Sequence, residues 1–222
     1  MKTPDENNVA FFGKITTGFT HEIKNVLAII QQASGLMEDI LSIAPEAILS
    51  HQDKIQISLD RIKAQIKRGV ELTNRLNKFA HSTDERISII DLFEMTEQLI
   101  ALTARYARLK NVVLKAHPPD QPITIMTHPL LFQRALHECI ECCLIVMTSG
   151  GQINIYPRKG SEKQEVYFLC EGDSLHETAL VNTISVSKNW SILQEIAASL
   201  GGFAKMEESA PGILLTLPSA IK

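Results

Sequence analysis

The 222-residue sequence contains no basic cluster and no long apolar run. Its 22 lysine and arginine residues stand against 25 aspartate and glutamate residues, without the clustered positive patch that marks a nucleic-acid-binding surface. No stretch reaches the roughly 18 apolar residues of a membrane span. The segment MKTPDENNVAFFGK, residues 1–14, is acidic and polar where a secretory signal would be basic and then apolar. We therefore expect a cytoplasmic protein that binds neither nucleic acid nor membranes.

Cysteine is scarce and clustered. Cys139, Cys142 and Cys143 lie within five residues of one another, and the fourth cysteine is Cys170. This pattern suits reduced thiols better than a disulfide framework. A metal site in HECIECC, residues 137–143, is conceivable, but the segment lies in a predicted helix and lacks a distant second pair of ligands. We expect these cysteines to be small buried apolar residues, and we expect no metal site.

Proline is absent from residues 9–43, where apolar residues recur every three or four positions, and this predicts one long helix. Residues 55–80 show the same spacing, Ser50 and Asp53 can form a capping box before them, and Pro45 falls in the connection. Two such helices would be roughly 45 to 55 Å long. A single hairpin cannot bury their apolar stripes, so we expect residues 1–82 to dimerise into a four-helix bundle.

Residues 87–222 have a different sequence pattern, in which short runs rich in β-branched residues alternate with helical stretches. One helix is predicted from Asp91 to about Arg108, since Asp91 and Glu94 can cap its start. Two more are predicted over 128–147 and over 190–200, the last of which ends at a glycine pair. The pattern predicts an α+β sandwich of five or six strands with helices on one face. The predicted strand segments are ISII, NVVLKA, PITIM, QINIYP, EVYFLC and GILLTL.

One histidine of the first helix, in GFTHEIKNVLAII (residues 18–30), stands apart from the apolar stripe. At about 100° per residue, His21 lies roughly opposite Phe19 and Ile23, so its imidazole should face solvent. Thr17 and Asn25 fall on the same side, with Gly18 and Ala28 nearby. An exposed histidine is usually only solvated, so its position alone assigns no chemistry. A zinc-protease reading of His21-Glu22 fails, because Asn25 stands where the second histidine is needed.

The wider segment FFGKITTGFTHEIKNVLAII, residues 11–30, resembles the phosphoacceptor segment of sensor histidine kinases. In that family a His-Glu-x-x-Asn motif lies on the first helix of a dimerisation hairpin, which an α+β domain follows. The resemblance implies that His21 carries a phosphoryl group and that Glu22 is the hydrogen-bond acceptor and base for its imidazole. It also implies that Asn25 can position water to dephosphorylate a partner. An unprotonated imidazole nitrogen is a competent nucleophile near neutral pH.

In sensor histidine kinases the second domain binds ATP through short sequence motifs, here called the ATP-binding boxes. The resemblance allows each box to be compared with residues 87–222. In HPLLFQRALHECIECCL, Glu138 and Cys142 occupy the expected asparagine positions, and a carboxylate there would repel triphosphate. In CEGDS, Cys170 replaces the adenine-reading aspartate, Gly172 is retained and Ser174 replaces the second glycine. The later phosphate loop, residues 185–193, contains no glycine, and only SLGG at 199–202 survives.

These features are typical of a dimeric histidine phosphotransferase with a degenerate ATPase-like domain and no cofactor of its own. Its implied partners are response-regulator receiver domains, whose own carboxylates supply the Mg²⁺. Three alternatives stay open at this point. One is a phosphatase of a response regulator that uses Glu22 and Asn25, and another is a non-catalytic binding module in which His21 is vestigial. The third is a kinase with unusual nucleotide binding.

Overall fold

The structure, a computed structural model, describes residues 4–42, 51–147, 150–161, 163–172, 177–207 and 211–220. The chain divides into two compact units, Met1–Lys78 and Phe79–Lys222. These described ranges contain six α-helices and seven β-strands. No helix within them combines the length and the apolar character that crossing a membrane requires.

Two long helices build the N-terminal part of the chain, as the apolar spacing predicts. Helix α1 spans Pro4–Leu41, with 38 residues, and helix α2 spans Gln52–His81, with 30 residues. Helix α1 begins five residues before the predicted start, since proline is tolerated in a first turn, where its missing N–H would have no intrahelical acceptor. The predicted connection with Pro45, and the capping residue Ser50, lie outside the described residues.

The two helices of the N-terminal unit pack closely at a glycine. A Cβ added to Gly69 of α2 would lie 3.4 Å from Cγ1 of Val26, so the missing side chain lets the backbone of α2 approach α1. Leu72 is buried one turn further along α2. The buried apolar residues of α1 form one face, namely Phe11, Ile15, Val26, Ala33 and Ile40.

The strands of the C-terminal unit form one large and one small sheet. They are β1 (Ser88–Asp91), β2 (Val113–Ala116), β3 (Thr124–Thr127), β4 (Gln152–Lys159), β5 (Gln164–Glu171), β6 (Phe203–Met206) and β7 (Gly212–Leu217). The large sheet has the order β2-β4-β5-β7-β6, in which β2 and β4 are parallel and the other neighbours antiparallel. The small sheet pairs β1 with β3 in antiparallel register.

Helix α4 forms the centre of the helical layer. The helices of this unit are α3 (Leu92–Arg108), α4 (Pro129–Val146), α5 (Glu177–Ser185) and α6 (Lys188–Ser199). Helix α4 contacts the other three helices and also β5 and β7, which explains why it is buried along most of its length. The mixture of helices and strands predicted for residues 87–222 is confirmed.

The element ends follow the sequence signals where these are strong. The carboxylate of Asp91 accepts hydrogen bonds from the backbone nitrogens of Phe93 and Glu94, at 2.8 and 2.9 Å, which confirms the predicted cap of α3. Gly201 follows α6 with a φ of 72°, the left-handed conformation that ends a helix. The six predicted strands are confirmed. Strand β6 is additional, so the described residues contain seven strands where about five or six are expected. Helix α5 is also additional.

Candidate functional site

The predicted phosphoacceptor lies on the solvent side of α1. His21 is exposed, and so are Thr17, Asn25 and Ala28, each a helical turn or two away. The expected position of the imidazole therefore agrees with the structure. Gly18 does not belong to this open face, because it is buried toward the packed side of the helix.

Glu22 points away from this open face and into the hairpin. Its side chain is only 7% exposed, and Oε2 accepts a hydrogen bond from Nη2 of Arg68 at 2.6 Å. The two residues lie 46 positions apart, so the ion pair joins α1 to α2. Burial of a carboxylate is costly unless it is paired, and Arg68 supplies that charge here. The resemblance assigns Glu22 to the imidazole, whereas the ion pair in the structure ties it to the second helix.

The pairing of Arg68 with Glu22 has no clear signal in the sequence. Arg68 lies one turn before Leu72 on α2, within the apolar repeat that predicts the helix. A single long cation at the edge of an apolar stripe is a common surface feature, because its stem covers apolar area while its head stays in water. Only the pairing of the two helices shows that its guanidinium meets Glu22.

In the C-terminal unit, residues of the three segments that the resemblance aligns with ATP-binding boxes lie close together. Cys142 and Cys143 of α4, together with Cys170 of β5, are each at most 1% exposed. The thiols of Cys143 and Cys170 are hydrogen-bonded, and Cys142 is hydrogen-bonded to Ser187, the N-cap of α6. Ser174 lies outside the described residues. Thiols therefore occupy positions at which the resemblance would place polar groups for a nucleotide.

The thiols of Cys139, Cys142 and Cys143 are neutral at physiological pH. Burial raises the pKa of Cys142 to about 12, against the smaller opposing effect of its hydrogen bond to Ser187. The pKa of Cys143 lies well above its ordinary value, first because of its hydrogen bond with Cys170 and then because of burial. Burial also raises the pKa of Cys139 strongly. Buried protonated thiols are inert, so they serve packing and not nucleophilic catalysis.

The same helix carries a cluster of acidic side chains around a buried histidine. Nδ1 of His137 lies 4.0 Å from Oε1 of Glu138, and Nε2 lies 3.8 Å from Oε1 of Glu141. Glu138 is the residue that replaces one of the expected asparagines. Within the described ranges, no group of three histidine, cysteine, aspartate or glutamate side chains is arranged to hold a metal ion.

The sequence matches no protein-family model and no curated protein sequence. Among solved structures it is similar to the nucleotide-free catalytic domain of histidine kinase ThkA, with a TM-score of 0.51 and 15% identity. That match covers 62% of this chain and 100% of the ThkA domain. The C-terminal unit therefore has the fold of a histidine kinase catalytic domain.

Two further matches extend over more of the chain. Histidine kinase AdeS of Acinetobacter baumannii has 12% identity and a TM-score of 0.47, over 90% of this chain and 98% of that chain. Histidine kinase ThkA in complex with response regulator protein TrrA has 16% identity and a TM-score of 0.46, over 97% of this chain and 64% of that chain. The fold assignment rests on the ThkA catalytic domain alone.

Proposed function

We propose that the chain is a histidine phosphotransfer protein that passes a phosphoryl group between receiver-domain aspartates through His21. The observation that carries the proposal is an exposed imidazole, within a His-Glu-x-x-Asn motif, on a long helical hairpin. Exposed Thr17, Asn25 and Ala28 leave room around the ring, so that a partner's active site can approach it.

The proposed reaction needs no nucleotide. A ring nitrogen of His21 attacks the phosphorus of an aspartyl phosphate, a P–N bond forms, and the P–O bond to the aspartate breaks. The aspartate leaves as a carboxylate, and the receiver's own Mg²⁺ balances the charge on the phosphoryl oxygens. Transfer to a second receiver reverses these steps. The acyl phosphate is already activated, so ATP is not required in either direction.

The packing of the C-terminal unit supports this nucleotide-independent chemistry. Cys142 and Cys170 are buried side chains in contact with the protein interior, and neither offers the amide or carboxylate that would hold magnesium or adenine. Glu138 adds negative charge near the same helix face. We propose that this unit serves as a docking surface for the partner.

The proposal includes a homodimer, because the hairpin leaves apolar surface uncovered. Leu27 on α1 is 58% exposed, and Ile66 and Val70 on α2 are 53% and 56% exposed. Phe19 and Ile23, which belong to the same side of α1 as Leu27, are only half-buried. A second hairpin packed on this side would cover these residues and complete a four-helix bundle.

Phosphoryl transfer tests the role of His21 directly. The full chain is mixed with a phosphorylated receiver domain that carries labelled phosphate, and the label on the chain is followed over time. His21→Gln should abolish labelling, whereas His81→Gln, a change at another exposed histidine, should leave it intact. A change at an exposed position typically shifts stability by no more than about 0.5 kcal/mol, so folding should not be affected.

The same experiment separates the alternatives. Labelling of His21→Gln at the wild-type rate would contradict the proposal and favour a non-catalytic binding module. Loss of labelling with undiminished dephosphorylation of the receiver would favour a phosphatase. Calorimetry with magnesium and ATP should show no saturable binding below about 1 mM, where the binding free energy is about −4.1 kcal/mol. A micromolar dissociation constant with autophosphorylation would instead indicate a kinase.

A further inference from the structure

The C-terminal unit contains a groove that the proposed phosphotransfer does not use. It has a volume of about 700 Å³ and lies between the loop that follows β2 and the end of β4. Small-molecule sites typically have volumes of about 300 to 1,000 Å³. The residues that line the groove include neither the buried cysteines nor Glu138, so the groove is separate from the degenerate ATP-binding segments.

Stacked rings form one wall of the groove. The ring centroids of His117 and Tyr156 lie 4.4 Å apart at an interplanar angle of 15°, and those of Tyr156 and Tyr167 lie 6.4 Å apart. Tyr156 and Tyr167 are direct partners in the β4–β5 register, so the sheet backbone fixes their spacing. Nε2 of His117 lies 2.7 Å from Oδ1 of Asn154, which holds the imidazole in its plane. The β4–β5 register and the contact with Asn154 therefore fix the arrangement of this aromatic wall.

Two basic side chains line the groove together with the aromatic wall. The guanidinium of Arg158 lies 5.1 Å from the ring centroid of Tyr167, and its Nε donates a hydrogen bond to Oε2 of Glu165 at 2.8 Å. That bond uses one of the five N–H donors of a guanidinium. Lys159 also lines the groove and is exposed. Asp120 contributes one opposing carboxylate to the lining.

Prolines make up much of the remaining lining, together with the side-chain amide of Gln121. Pro118, Pro119 and Pro122 border the groove, and proline has a fixed φ and no backbone N–H. Burial raises the pKa of Tyr167, and the charge of Glu207 adds to this effect, so the phenol stays neutral. The polar groups of the lining are thus the basic side chains of Arg158 and Lys159, the Asp120 carboxylate and the Gln121 amide, beside the flat rings.

We propose that this groove binds a small ligand that combines a planar ring with an anionic group, either an aromatic carboxylate or a nucleoside phosphate. The ring of the ligand would contact the His117–Tyr156–Tyr167 wall. Its anionic group would bind Arg158 and Lys159, because charge-assisted hydrogen bonds to carboxylate or phosphate are the strong ones. The proposal is independent of His21 and of phosphoryl transfer.

Four probes separate ring recognition from anion recognition. They are AMP and 2-naphthoate, which combine both features, adenosine, which has only the rings, and inorganic phosphate, which has only the charge. Binding to the full chain is measured by calorimetry at low ionic strength. AMP or 2-naphthoate should bind with a dissociation constant below about 1 mM, and adenosine and phosphate should bind at least about tenfold more weakly. Saturation by only one of the two combined probes identifies the ligand class.

Matched variants locate the binding. Tyr156→Leu and Lys159→Ala should each weaken binding of the combined probe at least about fivefold. Phe203→Leu and Lys115→Ala change a half-exposed aromatic ring and an exposed lysine on other strands of the same sheet, and they should bind like the wild type. Lys159 is exposed, so Lys159→Ala decides the test even if Tyr156→Leu does not fold. The proposal is overturned if no combined probe saturates at about 10 mM, if adenosine or phosphate alone binds equally well, or if Lys159→Ala binds like the wild type.

Discussion

Replacing Arg68 with alanine tests the ion pair that joins the two long helices. The hydrogen bond from Nη2 of Arg68 to Oε2 of Glu22 is short, at 2.6 Å, and the Glu22 side chain is only 7% exposed. A hydrogen bond to a charged group contributes about 1.5 to 3 kcal/mol, and its loss would leave the carboxylate in the packed face of α1. Arg68 itself is 43% exposed and partly hydrated, so we expect Arg68→Ala to cost about 1.5 to 2 kcal/mol.

The free energy of unfolding, measured by urea denaturation, gives the cost. All variants are compared at one protein concentration, because the apparent stability of a dimer depends on concentration. Arg61→Ala is the matched control, since Arg61 is exposed on the same helix. Its effect should stay within about 0.5 kcal/mol. Equal effects of the two substitutions would show that the pair with Glu22 does not stabilise the hairpin.

A double-mutant cycle with Glu22→Gln isolates the charge of the pair. Glutamine keeps a carbonyl acceptor of similar size, but a hydrogen bond between neutral partners contributes about 0.5 to 1.5 kcal/mol, less than the charged bond. Arg68→Ala should therefore cost about 1 kcal/mol less in the Glu22→Gln background than in the wild type. Additive effects would refute the reasoning. Labelling of His21 in Arg68→Ala then shows whether the anchored carboxylate matters for transfer as well as for stability.

Three further outcomes are expected. Ile62→Glu together with Ile66→Glu should convert a dimer to a monomer or unfold the bundle. The control Ile57→Glu, about 180° around α2 from Ile66, should do neither. A wild-type monomer in sedimentation at micromolar concentration would contradict the dimer. The pKa of Cys142 is about 12 in the folded chain against an ordinary value of 9.0. The protonated thiol therefore contributes fully to the free energy of unfolding below pH 9, and this contribution is lost as the pH rises toward 12. Cys142→Ala should reduce the fall of the unfolding free energy above pH 9 by about 1.4 kcal/mol per pH unit relative to the wild type, as measured by urea titrations across this range. The raised pKa values of Cys139 and Cys143 leave part of the slope in the variant. Asn25→Ala should leave labelling of His21 largely unchanged and reduce any dephosphorylation of the receiver, because the amide is proposed to position water; equal loss of both activities would argue against that role.

The helices could be predicted because their signals are long and redundant. Residues 12–40 repeat the helical spacing many times, and Asp91 provides a cap whose hydrogen bonds the structure contains. Strand β6, Phe203–Met206, has only four residues, of which just Ala204 is buried. Its segment FAKM contains no β-branched residue, so the signal that predicts the other strands is missing from it. The pairing of β6 with β7 depends instead on Gly202, whose hypothetical Cβ would lie 2.0 Å from the backbone oxygen of Thr216.

The candidate site could be predicted only in part, because local spacing fixes the direction of a side chain but not its partner across the hairpin. The exposure of His21 and Asn25 follows from their angle to the apolar stripe. The burial of Glu22 is consistent with the same angles, since it lies next to the packed face. Its contact with Arg68 depends on the pairing of α1 with α2, and the connection between these helices carries no register signal in the sequence.

The packing of the C-terminal unit and the exposure of His21 in the hairpin are consistent with the proposed phosphotransfer without a nucleotide. Cys139, Cys142, Cys143 and Cys170 behave as small apolar residues that pack α4 against its neighbours, and such packing contributes to stability in the absence of any ligand. The resemblance aligns positions 142 and 170 with nucleotide-binding groups, and neither cysteine offers an amide or a carboxylate there. His21, by contrast, is exposed and needs no rearrangement for a partner to reach it. The proposed relay therefore draws its phosphoryl group from a partner, and the kinase-like unit contributes through its surface.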